Sequence, residues 1–431
     1  MLQLLVRRAT LTGQTSPVDI GCRDGRIVEV SQKIEAEAEQ EIDAGEHLVT
    51  APFVDSHFHM DSTLTYGRPR VNQSGTLLEG IALWAELKPR LDGDDIKRRA
   101  HALCRWAVAR GNLAIRSHVD ICDPALTAVQ ALLEVREELR PWIDLQLVAF
   151  PQDGYFRHPE AQNLLPKALD LGVDVVGGIP HFERTMAEGA QSVRALCEIA
   201  EQRGLMVDMH CDESDDPNSR HIESLAAETH RLGMAGRVTG SHLTSMHSMD
   251  NYYAGKLIAL IAESGVHAIA NPLINITLQG RSDTYPKRRG MTRVKEMMAQ
   301  GINVAFGHDC VLDPWYALGS HDMLEVAGMG LHVAHMTGVT EMQAAFDAVT
   351  SNAAEVMNLP DYGLVPGCNA DMVVLQAGDP VEALRLRANR LYVIRRGRVI
   401  AESSPHEARV HLMGADTTVK FANSELDTDT P

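Results

Sequence analysis

The sequence has no Cys-x-x-Cys pair. Its seven cysteines (Cys22, Cys104, Cys122, Cys197, Cys211, Cys310 and Cys368) are scattered and odd in number, which argues against a disulfide framework and fits a reducing, cytoplasmic setting. No apolar run approaches the roughly 18 residues of a membrane-spanning helix, and the apolar start at Met1 meets Arg7 and Arg8 at once. Neither a membrane span nor a secretory signal is expected. Basic residues are few: 40 Lys and Arg stand against 58 Asp and Glu, a net charge of −18 at pH 7. Such a surface repels polyanions, so a nucleic-acid polymer is not an expected partner. There is no Gly-x-Gly-x-x-Gly fingerprint, P-loop or Gly-x-Ser-x-Gly elbow, no internal repeat and no low-complexity tract, so the usual phosphate-cradling and serine-hydrolase signatures are missing.

What is present is a rhythm. With 431 residues, 45% of them hydrophobic, the chain can bury a large core without help from disulfides or a structural metal. Short apolar runs alternate with amphipathic stretches, and each run ends in a polar or ionisable group. The runs are 48–57, 113–120, 145–152, 173–181, 205–213, 238–242, 267–271 and 302–309, with helical spacing between them, as at 126–139 and 193–202. Buried strands separated by helices predict a parallel sheet of βα units, and this number of units predicts a (β/α)8 TIM barrel with its chemistry at the strand C-termini. The flanks carry short alternating segments with turn signals, such as Asp24-Gly25 and Arg396-Gly397. The expected organisation is a small β-sandwich domain from 1–50 and 360–413, a catalytic barrel over 51–359, and a polar C-terminal tail over 414–431.

Alternation along a strand puts His57 and His59 on one face, where both rings can reach one metal ion. His210 ends the fifth run, His242 the sixth, and His308-Asp309 the eighth. Imidazoles plus a carboxylate suit one divalent ion, zinc or ferrous iron, with a position open for water. Asp61, close behind the His-x-His pair, strengthens that expectation. His181-Phe182-Glu183 imitates the His-x-Glu of the zinc nucleobase deaminases, but their Pro-Cys-x-x-Cys element is missing, which excludes that fold. His406-Glu407 with His411 has the wrong spacing for a zincin helix and reads as surface.

The segments Asn72-Gln73-Ser74-Gly75-Thr76-Leu77, Phe150-Pro151-Gln152, His210-Cys211-Asp212-Glu213, Leu278-Gln279-Gly280-Arg281, Phe306-Gly307-His308-Asp309 and Asp313-Pro314-Trp315-Tyr316 resemble the amidohydrolase superfamily and, within it, the bacterial cytosine deaminases. The resemblance covers nearly the whole chain. It implies metal ligation by His57, His59, His210 and Asp309, with His242 beside the metal water and Glu213 handling the ring-nitrogen proton. Gln152 would recognise the pyrimidine edge, Trp315 would wall the pocket, and Leu77 and Phe150 would line it. Gln152 as a satisfied strand-end amide and Trp315 as a core residue remain the bland alternatives. The stretch 173–181 has no lysine, whereas dihydroorotases carry a bridging carbamate there, so one metal per chain is implied.

The expected activity is hydrolytic deamination of a free aminopyrimidine base, cytosine to uracil or 5-methylcytosine to thymine, with release of ammonia. In that reading Glu213 protonates N3, while His242 and Asp309 orient the water and accept its proton. Cys310 departs from the family: cytosine-preferring members carry a second aspartate at this position, near C5 of the ring. A thiol packs like a small hydrophobe and would accept a 5-methyl group that a carboxylate would repel. The alternatives are another aminated base such as isoguanine, a cyclic amide opened by the same chemistry, or a non-catalytic metal-binding homologue. The family resemblance also implies a homo-oligomer.

Overall fold

The structure, a computed structural model, describes residues 1–412 and 414–421. The strands are β1 Leu2–Ala9, β2 Val18–Arg23, β3 Arg26–Ser31, β4 Ala38–Asp43, β5 Leu48–Thr50, β6 Phe53–Phe58, β7 Asn112–Asp120, β8 Asp144–Phe150 and β9 Val175–Gly178. They continue with β10 Met206–Cys211, β11 Val238–His242, β12 His267–Ala270, β13 Val304–Phe306, β14 Met372–Leu375, β15 Arg390–Arg395, β16 Arg398–Glu402, β17 Ala408–Leu412 and β18 Ala415–Val419.

Strands β6 to β13 pair in sequence order, and each neighbouring pair is parallel. Helices connect them and cover the outside, so the strands are buried on both faces: all nine residues of β7 are buried. That double burial is why these segments read as continuous apolar runs. The ring closes through a parallel bridge between Phe58 and Asp309. There the Asp309 N–H donates to the His57 carbonyl at 2.9 Å and the His59 N–H to the Asp309 carbonyl at 3.0 Å. The fold is therefore a (β/α)8 barrel, and its seam is made by the backbone of three candidate ligands.

The flanks form two further four-stranded sheets, ordered β3-β2-β1-β4 and β16-β15-β14-β5. They face each other across a core that includes Leu4, Val6, Ile20, Ile27, Val374 and Ile394. Alternate residues of the second sheet, Val373, Leu375 and Val393, turn the other way and join the barrel core. Period-2 alternation thus lets one sheet serve two cores.

Two sequence expectations shift at the edges. The apolar run 48–57 is divided: Leu48–Thr50 pairs antiparallel with β14, and only Phe53–Phe58 enters the barrel. Pro52 separates them because it has no N–H to give a ladder, and its carbonyl accepts from the Tyr362 hydroxyl at 2.6 Å. Of the stretch read as a tail, Ala415–Val419 is the second strand of a hairpin with β17; residues 422–431 lie outside the described residues. Among the described residues no helix is long and apolar enough to cross a membrane.

The second sheet is anchored to the barrel by a buried ion pair. Arg390, 2% exposed, meets the Asp322 carboxylate with both terminal nitrogens, 3.2 Å from Nη1 to Oδ2. Its Nε donates to the Arg110 carbonyl at 2.9 Å, at the turn leading into β7. Asp322→Ala leaves a buried guanidinium without its counter-charge. It is expected to cost about 3–5 kcal/mol, measured as a lower midpoint of denaturant unfolding with an unchanged slope.

Candidate active site

The strand ends gather a cluster of imidazoles and carboxylates. His57 lies on β6 and His59 one residue past its end, His210 is on β10, His242 closes β11, and Asp309 follows β13 by three residues. His59 Nε2 and His210 Nε2 are 2.9 Å apart. Asp309 Oδ1 is 3.4 Å from His59 Nε2 and 3.6 Å from His57 Nε2, and its Oδ2 is 3.8 Å from His242 Nε2. The backbone is bent to bring them together: His242 at φ 72° and Asp309 at φ 69° both sit in the left-handed region. Non-glycine residues held there store strain, and such strain concentrates at functional sites.

The donor chemistry fits a divalent cation. His57 Nδ1 and Nε2 and His210 Nδ1 are buried without a hydrogen-bond partner, although such groups are almost always paired. Burial drives His59 down to about 4 and His210 and His242 well below the ordinary imidazole value, so the rings are neutral and their lone pairs face one another. Ligand atoms of His57, His59 and Asp309 lie within 4.8 Å of one another, as do those of His57, His210 and His242. In a further grouping, His57 with His118 and Asp208, only the carboxylate is already engaged. Asp208 pairs with Arg116 at 2.9 Å and accepts from the Ser241 hydroxyl at 2.7 Å.

The two carboxyl groups at the centre are pushed apart. Burial and then the field of Asp309 raise Glu213 well above the usual carboxyl range. Burial also opposes the Asp309 charge, but His57 outweighs it and holds that carboxylate below the usual range. Glu213 Oε1 lies 3.6 Å from His242 Nδ1. The two carboxyls are thus pushed in opposite directions, Glu213 towards its acid form and Asp309 towards its ionised form, the kind of split that acid–base chemistry uses.

A cavity of about 390 Å³ opens over the cluster, lined by His59, Leu77, Gln152, His210, Glu213, His242, Asp309, Cys310 and Trp315. Two residues singled out from the sequence do not line it. His57 lies beneath the floor with no exposed surface. Phe150 is also fully buried, stacked on the His210 ring at 4.2 Å and 18°; as the last residue of β8 it supports an imidazole instead of touching a ligand. Asp61 likewise faces away, its Oδ2 accepting the Asp120 N–H at 2.9 Å. Glu183 of the His-x-Glu motif is consumed by the backbone N–H groups of Tyr155, Phe156 and Arg157. His406 and His411 are exposed.

The wall is held from behind. Asp313 Oδ1 accepts the N–H groups of Trp315 and Tyr316, each at 2.9 Å. Helix Leu77–Leu87 makes room for the indole with Gly80, where a Cβ would come 2.4 Å from Trp315 Cδ1. Cys310 is buried, with Sγ 3.6 Å from Asp309 Oδ1. Burial and the Asp309 and Asp313 carboxylates raise its thiol well above the usual value, so it presents a neutral S–H. Sequence reasoning missed His118, whose ring is 4.3 Å from His57. The period-2 spacing of Arg116, His118 and Asp120 on β7 was the available signal.

A parallel barrel with neutral imidazoles and an ionised carboxylate converging at its strand ends defines the class of barrel enzymes that work with a bound divalent ion. Over residues 40–401 the chain matches the amidohydrolase family, and it belongs to that family. Its fold is similar to that of 5-methylcytosine deaminase from Klebsiella pneumoniae liganded with 5-fluorocytosine, with TM-score 0.92 and 42% identity over 94% of this chain and 99% of that one. The same enzyme liganded with phosphonocytosine gives TM-score 0.91 over 93% and 99%. Among relatives by sequence, N-isopropylammelide isopropyl amidohydrolase of Pseudomonas sp. (strain ADP) is 32% identical over 93% of this chain and 97% of its own length. Pterin deaminase of Rhizobium rhizogenes is 30% identical over 93% of each.

Proposed function

We propose that the protein is a hydrolytic deaminase of free aminopyrimidine bases that prefers 5-methylcytosine, takes cytosine more slowly and releases ammonia. The observation that carries this reading is the Glu213–Asp309 pair, two buried carboxyls whose surroundings push them in opposite directions, in a cavity walled by Trp315. The likeness to 5-methylcytosine deaminase supports the choice of ring.

His57, His59, His210 and Asp309 would hold one zinc or ferrous ion, which supplies a water whose pKa falls from about 15.7 towards about 7. Glu213 donates its proton to N3 of the pyrimidine, which makes C4 electrophilic. Water adds to C4, and the Asp309 carboxylate takes its proton and returns it to the amino group. Breaking the C4–N bond expels ammonia, and the new C4 hydroxyl gives up its proton, which restores the acid form of Glu213 and leaves the 4-oxo base with its proton on N3. Gln152 presents its amide to the O2 and N1 edge, and the Trp315 indole covers a ring face.

The thiol at Cys310 gives the methyl preference. One methyl in an apolar pocket is worth about 1–3 kcal/mol, roughly 10–200-fold in kcat/KM. Cys310→Asp places a second carboxylate beside the 5-position and is expected to invert the ratio towards cytosine. The measurement is kcat/KM for 5-methylcytosine, cytosine, isoguanine and a pterin on both proteins, with ammonia as the product read. A wild type that favours cytosine, or a ratio that Cys310→Asp leaves alone, overturns the assignment.

A further inference from the structure

The His242 ring ends β11 with both nitrogens buried, and two asparagines reach it from the segment after β12. Asn275 lies in the helix Pro272–Leu278, and its Oδ1 accepts the Asn271 backbone N–H at 3.0 Å. That donor fixes which end of the amide is oxygen, so Nδ2 is the end facing His242, 3.0 Å from Nδ1. The Asn271 Nδ2 lies 3.3 Å from the same ring nitrogen and 3.4 Å from Nε2, but its Oδ1 has no partner, so no contact fixes which end of this amide is oxygen and it is Asn275 that decides the tautomer. The competing acceptor, Glu213 Oε1, is 3.6 Å from Nδ1, beyond hydrogen-bonding range. An amide N–H only donates, so Nδ1 must offer it a lone pair. A neutral imidazole then carries its proton on Nε2, the nitrogen turned towards Asp309. The other ionisable groups packed against the ring are His57 and His210, each with its centroid 4.8 Å away.

We propose that Asn275 is a positioning residue that holds His242 as its Nε2–H tautomer, so that His242 presents a hydrogen-bond donor and not a base to the reacting centre. Two consequences follow from proton count. The task of taking the water's proton falls to the Asp309 carboxylate alone, in place of the shared role that the sequence motif suggests. A nitrogen that carries a proton is also no metal ligand, which keeps His242 out of coordination although its ligand atom lies within 4.8 Å of those of His57 and His210. The catalytic consequence rests on the proposed deamination; the tautomer does not.

The test uses full-length, zinc-loaded protein labelled with ¹⁵N-histidine, in which solid-state ¹⁵N spectra distinguish protonated from bare ring nitrogens and a His242→Gln difference spectrum assigns the ring. Wild type is expected to show a bare Nδ1 and a protonated Nε2. Asn275→Asp keeps the shape but replaces the donor with an acceptor. It should move the proton to Nδ1 and lower kcat by on the order of tenfold or more, with a smaller change in KM and unchanged metal content. A protonated Nδ1 in wild type, or a wild-type spectrum from Asn275→Asp, overturns the proposal. Because the wild-type spectrum needs neither a variant nor a substrate, a failure of the tautomer and a failure of the proposed activity show up in separate measurements.

Discussion

Removing divalent metal from the purified protein with a chelator is expected to abolish turnover, and about one equivalent of zinc or ferrous iron per chain should restore it. The cluster is built of groups that gain by a cation and are left wanting without one. Two nitrogens of His57 and one of His210 have no partner, and two Nε2 atoms face each other at 2.9 Å. Stoichiometry follows from what the neighbouring strand lacks. β9 reads Val175-Val176-Gly177-Gly178 and offers no lysine for a carbamate that could bridge a second ion. Metal analysis that finds two tightly bound ions joined by a bridging group would sink the mononuclear assignment. Ligand removal should also register in stability: an ion that binds only the folded chain raises the unfolding midpoint in proportion to the logarithm of its concentration over its Kd.

The second large effect concerns Glu213. Glu213→Gln keeps the size of the side chain and removes the proton, so the loss should be that of general acid help, on the order of 10²–10⁴-fold in kcat, with metal content intact. The pH profile carries its own sign. The Glu213 pKa is raised by burial and by Asp309, so the acid form exists below that raised value and is lost as pH rises through it. Wild type should therefore show an alkaline limb in kcat/KM that the glutamine variant lacks. Retention of near wild-type rate by the variant would assign the ring-nitrogen proton to another group.

The barrel was legible because its strands are buried on both faces, which forces long apolar runs, and because each run ends in a group that apolar burial cannot explain. The gathering of His57, His59, His210, His242 and Asp309 follows from that end effect alone. Other features left no trace in one dimension. Phe150 lies two residues before Gln152 in sequence, yet its place as a strand residue puts it under His210, where only packing shows it. Asp61 looks like part of the histidine pair and instead ties the end of β6 to β7, since its oxygen faces the neighbouring backbone. Asn275 belongs to no motif that spacing could flag, because its meaning lies in which way an amide is turned. Gly80 reads as an ordinary helix glycine until the Trp315 indole is seen occupying the space of its missing side chain.

The sheet β16-β15-β14-β5 docks where the barrel strands begin: Arg395 reaches Asp144, the first residue of β8, at 2.8 Å, and Arg390 caps the Arg110 carbonyl just before β7. The chemistry sits at the opposite ends of the same strands. Folding free energy and substrate choice are thus written into separate addresses of the molecule. A lineage, or an engineer, can exchange Cys310 or Leu77 to explore new aminated rings while the anchor that keeps the barrel standing goes untouched, and can raise tolerance to heat around Arg390 without re-tuning what the enzyme accepts.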